Sequence, residues 1–171
     1  MNMHNTVLPE VEIAHLLLTR GWKLVTAESC TGGLLGHRLT NVAGSSEYYL
    51  GGFISYAYEA KQAWLGVRPQ TLAEFGAVSR ETVREMATGA RSALAAFFDS
   101  TSIIAVSISG IAGPGGGTPQ KPVGTVWLGL DGPSGSDQRR LLLKGDREQI
   151  KAQSAQAALE WLTEYLNQKT L

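Results

Sequence analysis

Ser102-Ile103-Ile104-Ala105-Val106-Ser107-Ile108-Ser109 is strongly apolar, five of its eight residues, with no charge and no breaker. Such a run reads as a strand in the middle of a sheet, covered on both faces. Downstream of it only loops separate two further strand-like stretches, Val123 to Leu130 and Gln138 to Leu143, the second preceded by the turn Asp131-Gly132-Pro133-Ser134-Gly135. Short connections favour antiparallel neighbours. Upstream the pattern differs. Two strands, Trp22 to Ala27 and Tyr49 to Ala57, alternate with helical stretches at Leu8 to Arg20, Leu34 to Val42, Glu59 to Leu65, Pro69 to Phe75 and Ser79 to about Phe98. Strands separated by helices pair in parallel and carry helices on both faces. Asp146 caps a last helix running to roughly Leu166. The expected fold is α/β: a three-layer α/β/α sandwich around a mixed five-strand sheet, with one strand antiparallel. At 171 residues, one domain spanning 1–171 is expected, with neither repeat nor linker.

Charge narrows the function. Fifteen basic and 15 acidic side chains balance, and no block of one sign stands out, which argues against nucleic acid as the partner. The single cysteine, Cys30, excludes an internal disulfide and any zinc site built from several cysteines. His4, His15 and His37 have no metal-ligand spacing, so neither a metal nor another cofactor is expected. Met1 to Glu10 has no signal-peptide pattern and no apolar run reaches membrane-spanning length, so a cytoplasmic protein without membrane partners is expected.

Twenty glycines cluster where a backbone must turn or approach a neighbour closely. The first cluster lies in Glu28-Ser29-Cys30-Thr31-Gly32-Gly33, between a strand and a helix start. Free amides there, with the hydroxyls of Ser29 and Thr31, suit a phosphate. The plainer reading makes Thr31 a helix cap and leaves the glycines to the turn. The absence of Gly-Lys-Ser/Thr after the glycines rules out a Walker A loop. Cys30 reads as a buried, inert thiol with no histidine nearby in sequence. The second candidate gathers Gly44-Ser45-Ser46-Glu47, Ser55-Tyr56 and Lys61. Serine, tyrosine and lysine can form a hydrolytic unit without histidine. Spacing alone favours a plainer reading, a turn cap, a strand tyrosine and a solvated lysine. The third runs from Ser109 and Gly110 through Gly113-Pro114-Gly115-Gly116-Gly117 to Lys121-Pro122, at the carboxyl end of the central strand, where α/β sheets bind ligands. Its three prolines indicate a shaped loop. In the last, Gly145-Asp146-Arg147-Glu148, Arg147 is either a phosphate ligand, a contact to a neighbouring subunit or a solvated arginine.

Taken in order, these segments resemble one family. Ala27-Glu28-Ser29-Cys30-Thr31-Gly32-Gly33, Gly51-Gly52-Phe53-Ile54-Ser55-Tyr56, Lys61, Gly76-Ala77-Val78-Ser79, Gly110-Ile111-Ala112-Gly113-Pro114-Gly115-Gly116 and Lys121-Pro122-Val123-Gly124-Thr125-Val126 are similar to the C-terminal domain of the competence/damage-inducible protein CinA and its stand-alone relatives. The similarity runs from about Leu16 to the end. It leaves no counterpart here for the family's amino-terminal, molybdopterin-cofactor-like domain. The chain departs from the usual pattern with Ala57-Tyr58 after the strand tyrosine, where the family has Ser-Asn, and with Ser109 in place of Thr.

The resemblance implies a nicotinamide-nucleotide amidase. Such an enzyme hydrolyses the carboxamide of nicotinamide mononucleotide (NMN) to nicotinate mononucleotide and ammonia, a step in pyridine nucleotide recycling. It implies Ser46 as nucleophile with Tyr56 and Lys61 as a proton relay, and no cofactor. The phosphate is expected either on the turn at Thr31, Gly32 and Gly33 or on the loop at Gly113, Gly115 and Gly116, with Ser29, Ser109 and Gly110 also lining the site. The alternatives are a non-catalytic nucleotide-binding module and an amidohydrolase for another substrate. Four tryptophans in so short a chain, and the resemblance, lead to the expectation of a homodimer or higher homo-oligomer.

Overall fold

The computed structural model describes residues 7–168; His4 and the start of the Met1 to Glu10 stretch lie outside the described residues. In chain order the elements are α1 (Pro9–Arg20), β1 (Lys23–Glu28), α2 (Leu34–Thr40), β2 (Tyr49–Ile54), α3 (Tyr58–Leu65), α4 (Pro69–Phe75), α5 (Arg80–Leu94), β3 (Ile103–Gly110), β4 (Thr125–Gly132), β5 (Gly135–Leu142) and α6 (Arg147–Gln168). Short 3-10 turns occupy Ser45–Glu47 and Ser100–Ser102.

The sheet order is β2-β1-β3-β4-β5. β1 runs parallel to both β2 and β3, whereas β3–β4 and β4–β5 are antiparallel. β4 alone therefore opposes the other four strands, as the connection lengths predict. The hairpin is tighter than expected. Gly132 pairs with Gly135, leaving Pro133 and Ser134 as a two-residue loop, so β5 starts at Gly135 rather than Gln138. β2 ends at Ile54, short of Ala57, because the carbonyls of Ser55 and Tyr56 turn away to accept from Lys61. α5 ends at Leu94, short of Phe98, where the amides of Phe97 and Phe98 both donate to Leu94 O in a turn.

β3 is buried along seven of its eight positions and divides its side chains between two cores. Ile104, Val106 and Ile108 join Ile13, Leu17, Leu35, Leu39, Leu159 and Leu162 under α1, α2 and α6. Ile103 and Ala105 join Val25, Leu65, Met86 and Ala90 under α3, α4 and α5. Each sheet face is covered by three helices, which is the three-layer sandwich. Two caps hold as read from sequence: the Thr82 amide donates to Ser79 Oγ at 3.1 Å, and Asp146 and Gln149 each accept the other's amide at 2.9 Å. One close approach was invisible in the glycine clusters. A Cβ on Gly89 of α5 would lie 1.8 Å from the carbonyl oxygen of Leu65, so only glycine lets α5 lie this near the end of α3.

Candidate active site

The three parallel strands end on one side of the sheet, and the side chains that follow them meet there. Ser29 follows β1, its amide held at 2.9 Å by Ile108 O of β3. Ser55 follows β2, its amide held at 2.9 Å by Glu28 O of β1. Lys61, in the first turns of α3, is fully buried beneath this junction. Its ammonium donates to Ser29 Oγ at 2.9 Å, to Ser55 O at 2.5 Å and to Tyr56 O at 3.3 Å. No carboxylate lies within ion-pair reach among the described residues. Burial of an uncompensated ammonium disfavours its charged form and lowers the Lys61 pKa from 10.5 to about 8. Ser29 is 8% exposed and Lys61 not at all.

Chemically, a serine hydroxyl beside a buried amine can act as a nucleophile with its base. When Lys61 is neutral, its two N–H bonds are fixed by the carbonyls of Ser55 and Tyr56. The lone pair is then left for the Ser29 hydroxyl. Cys30, the neighbouring residue, is the wrong nucleophile: burial pushes its thiol up to about 11, leaving almost no thiolate near neutral pH.

Lys61 does not meet Ser46. Ser46 lies exposed in the 3-10 turn before β2, at the end of the sheet where Lys23 of β1 donates to Glu47 O. Lys61 lies beyond the other end of β2. A six-residue strand separates the two, on the order of 20 Å. The structure thus pairs the lysine with Ser29 and leaves Ser46 on the opposite rim.

Tyr56 sits at the mouth, 60% exposed, its hydroxyl accepting from Arg147 Nη2 at 3.0 Å. Arg147 also donates to Gly113 O at 2.8 Å and so ties the start of α6 to the glycine loop. That loop is shaped, as its prolines predict: Gly124 donates to Ile111 O, Ile111 donates to Thr125 O, and Thr118 and Lys121 bond each other. A Cβ on Gly113 would come within 2.6 Å of Val123, whereas Gly115 faces open space. Gly110 is needed for close approach to β4, since its Cβ would lie 2.7 Å from Val126. Ser109 donates to Ala77 O at 2.7 Å, and Lys121 donates to Phe75 O at 2.6 Å. Both side chains fasten β3 and the loop to the α4–α5 connection. Tyr58, bulkier than the family's Asn, has its hydroxyl occupied by the Ala77 amide at 3.2 Å.

The turn at Thr31, Gly32 and Gly33 is not the backbone anion cradle that its position suggested. Glu28 is 2% exposed, and its carboxylate accepts from the amides of Gly33 at 3.1 Å, Leu35 at 3.0 Å and Gly36 at 2.8 Å. These are the free donors of the α2 start, and a carboxylate from within the chain satisfies them. Thr31 is not the cap either: its buried Oγ1 has no partner, and neither has Ser55 Oγ. Sequence reading missed the capping role of Glu28 and a further cation, Lys151 of α6, whose Nζ lies 3.9 Å from the position of a Gly32 Cβ.

A buried lysine poised on a serine, at the carboxyl edge of an α/β sheet, defines a serine–lysine site. Comparison with known proteins then places the chain. The CinA C-terminal domain model matches residues 8–166, and the chain belongs to that family. It is 46% identical over 154 residues to the nicotinamide-nucleotide amidohydrolase PncC of Enterobacter agglomerans, covering 88% of each. It is 51% identical over 144 residues to a putative competence-damage inducible protein of Moorella thermoacetica, but spans 33% of that protein's length. Among solved structures, the CinA superfamily protein from Enterobacter cloacae superposes with a TM-score of 0.88 at 32% identity, over 97% of this chain and 96% of that one. The corresponding Klebsiella pneumoniae protein gives 0.86 at 38%, over 98% and 99%.

Proposed function

We propose that the chain is a nicotinamide-nucleotide amidase whose nucleophile is Ser29 and whose base is Lys61. The observation that carries this reading is the 2.9 Å contact between a buried amine of lowered pKa and a serine hydroxyl at the carboxyl edge of the sheet. The similarity to PncC supports the substrate class.

In this mechanism Ser29 Oγ attacks the carboxamide carbon as its proton passes to Lys61 Nζ. The oxygen of the carbonyl becomes an oxyanion. The C–N bond then breaks, and the Lys61 ammonium returns its proton to the departing ammonia. Water attacks the ester, gives a proton to Lys61, and that proton restores the Ser29 hydroxyl as nicotinate mononucleotide leaves. Tyr56 and the Gly113 loop, joined through Arg147, border the site. A cytoplasmic setting and a homo-oligomer belong with this reading. Trp64, 56% exposed on α3, and Ile54, 50% exposed on the edge strand β2, offer apolar surface for a second copy.

The test is ammonia release from NMN, nicotinamide, glutamine and NAD. Release is expected from NMN, matched mole for mole by nicotinate mononucleotide. Silence on all four would overturn the amidase in favour of a binding module, and release from glutamine alone would reassign the substrate.

A further inference from the structure

Lys151 and Arg147 stand one turn apart on the same face of α6, at the end nearest the Gly32 turn and the Gly113 loop. The Lys151 ammonium lies close to the Gly32 turn and is near enough to Cys30 to favour its thiolate. It has no hydrogen-bond acceptor and no carboxylate partner among the described residues, although it is half-buried. Arg147 bonds only neutral groups, Gly113 O and Tyr56 Oη. Glu28, the nearest carboxylate in the turn, is committed to three amides of α2. Two like charges at this spacing repel each other. Among the described residues no carboxylate pairs with either of them.

We infer that Lys151, with Arg147, holds the phosphate monoester of the substrate and determines the preference for a nucleotide over its nucleoside. The inference rests on the amidase reading for its substrate. It joins the two places where the sequence allowed a phosphate: Lys151 overhangs the Gly32 turn and Arg147 grips the Gly113 loop, so an anion between them touches both. It also supplies what the α2 amides cannot, because Glu28 has already taken them.

The experiment compares kcat/KM for NMN with that for nicotinamide riboside, its phosphate-free counterpart. The intact protein is expected to favour the nucleotide. Lys151→Met should cut that preference about ten- to a hundred-fold, the scale of one charged hydrogen bond. The loss should fall on KM for NMN rather than on kcat, and Lys151→Arg should restore part of it. Lys23→Met, which removes the same charge at the far end of β1, should leave the preference unchanged. An undiminished preference in Lys151→Met, or an equal loss in Lys23→Met, would overturn the inference. If the intact protein hydrolyses neither compound, the amidase reading fails instead. Calorimetric titration with ribose 5-phosphate and with ribose then decides the phosphate site. Binding of the phosphate alone, abolished in Lys151→Met, supports it, and equal binding by both proteins overturns it.

Discussion

Ser29→Ala is expected to lower kcat for NMN by roughly three to six orders of magnitude, because the bond-forming atom is gone. Stability should change little, since among the described residues the Ser29 hydroxyl bonds Lys61 Nζ alone, which keeps the carbonyls of Ser55 and Tyr56. Ser46→Ala should retain activity within about two-fold, as an exposed surface change far from the reacting atoms does. Steady-state ammonia release by both variants, with circular dichroism to verify folding, checks the pair. The opposite outcome, an active Ser29→Ala and a dead Ser46→Ala, would return the nucleophile to the turn before β2.

Lys61 is expected to show itself twice, in the rate and in the fold. Activity should rise with pH through about 8, the pH at which the amine loses its proton. Lys61→Arg should be inactive, because a guanidinium stays charged and cannot accept the serine proton. The same shift acts on stability. Lys61 titrates near 10.5 when unfolded and about 8 when folded. Between those values the unfolded chain binds more protons, so stability rises with pH across that window. Below it the folded state carries the whole cost of a buried ammonium, on the order of 3 kcal/mol. Lys61→Met has no such proton to lose. Thermal midpoints of the two proteins should therefore move in favour of the wild type between pH 7 and pH 10. A constant gap would mean that the lysine is not depressed. A rate independent of pH from 6 to 9 would mean that it is not the base.

Much of the architecture was legible because it depends on local pattern. β3 announced itself by apolar residues on both faces, and the short Asp131–Gly135 turn settled the reversal between β4 and β5. The site was less legible because its main contact joins residues 32 apart. Ser29 and Ser46 look alike in sequence, each within three residues of a glycine and near a helical turn. What separates them is topology. Parallel strands end together, so the residues after β1 and after β2 are neighbours, whereas the residue before β2 faces the opposite way. That rule could have selected Ser29 from sequence once the strands were assigned parallel. The Glu28 cap was hidden for another reason. A carboxylate buried after a strand resembles a ligand-binding residue until its three amide donors are seen. Lys151 could not be found from spacing, because its place over Gly32 depends on how α6 lies across α2.

The central claim is that hydrolysis proceeds through an ester on Ser29. Acid quenching of the enzyme during turnover of NMN, followed by proteolysis and mass spectrometry, reads this directly. The account predicts a nicotinate mononucleotide adduct on the peptide that carries Ser29 and none on the peptide that carries Ser46. An adduct on Ser46 would contradict it.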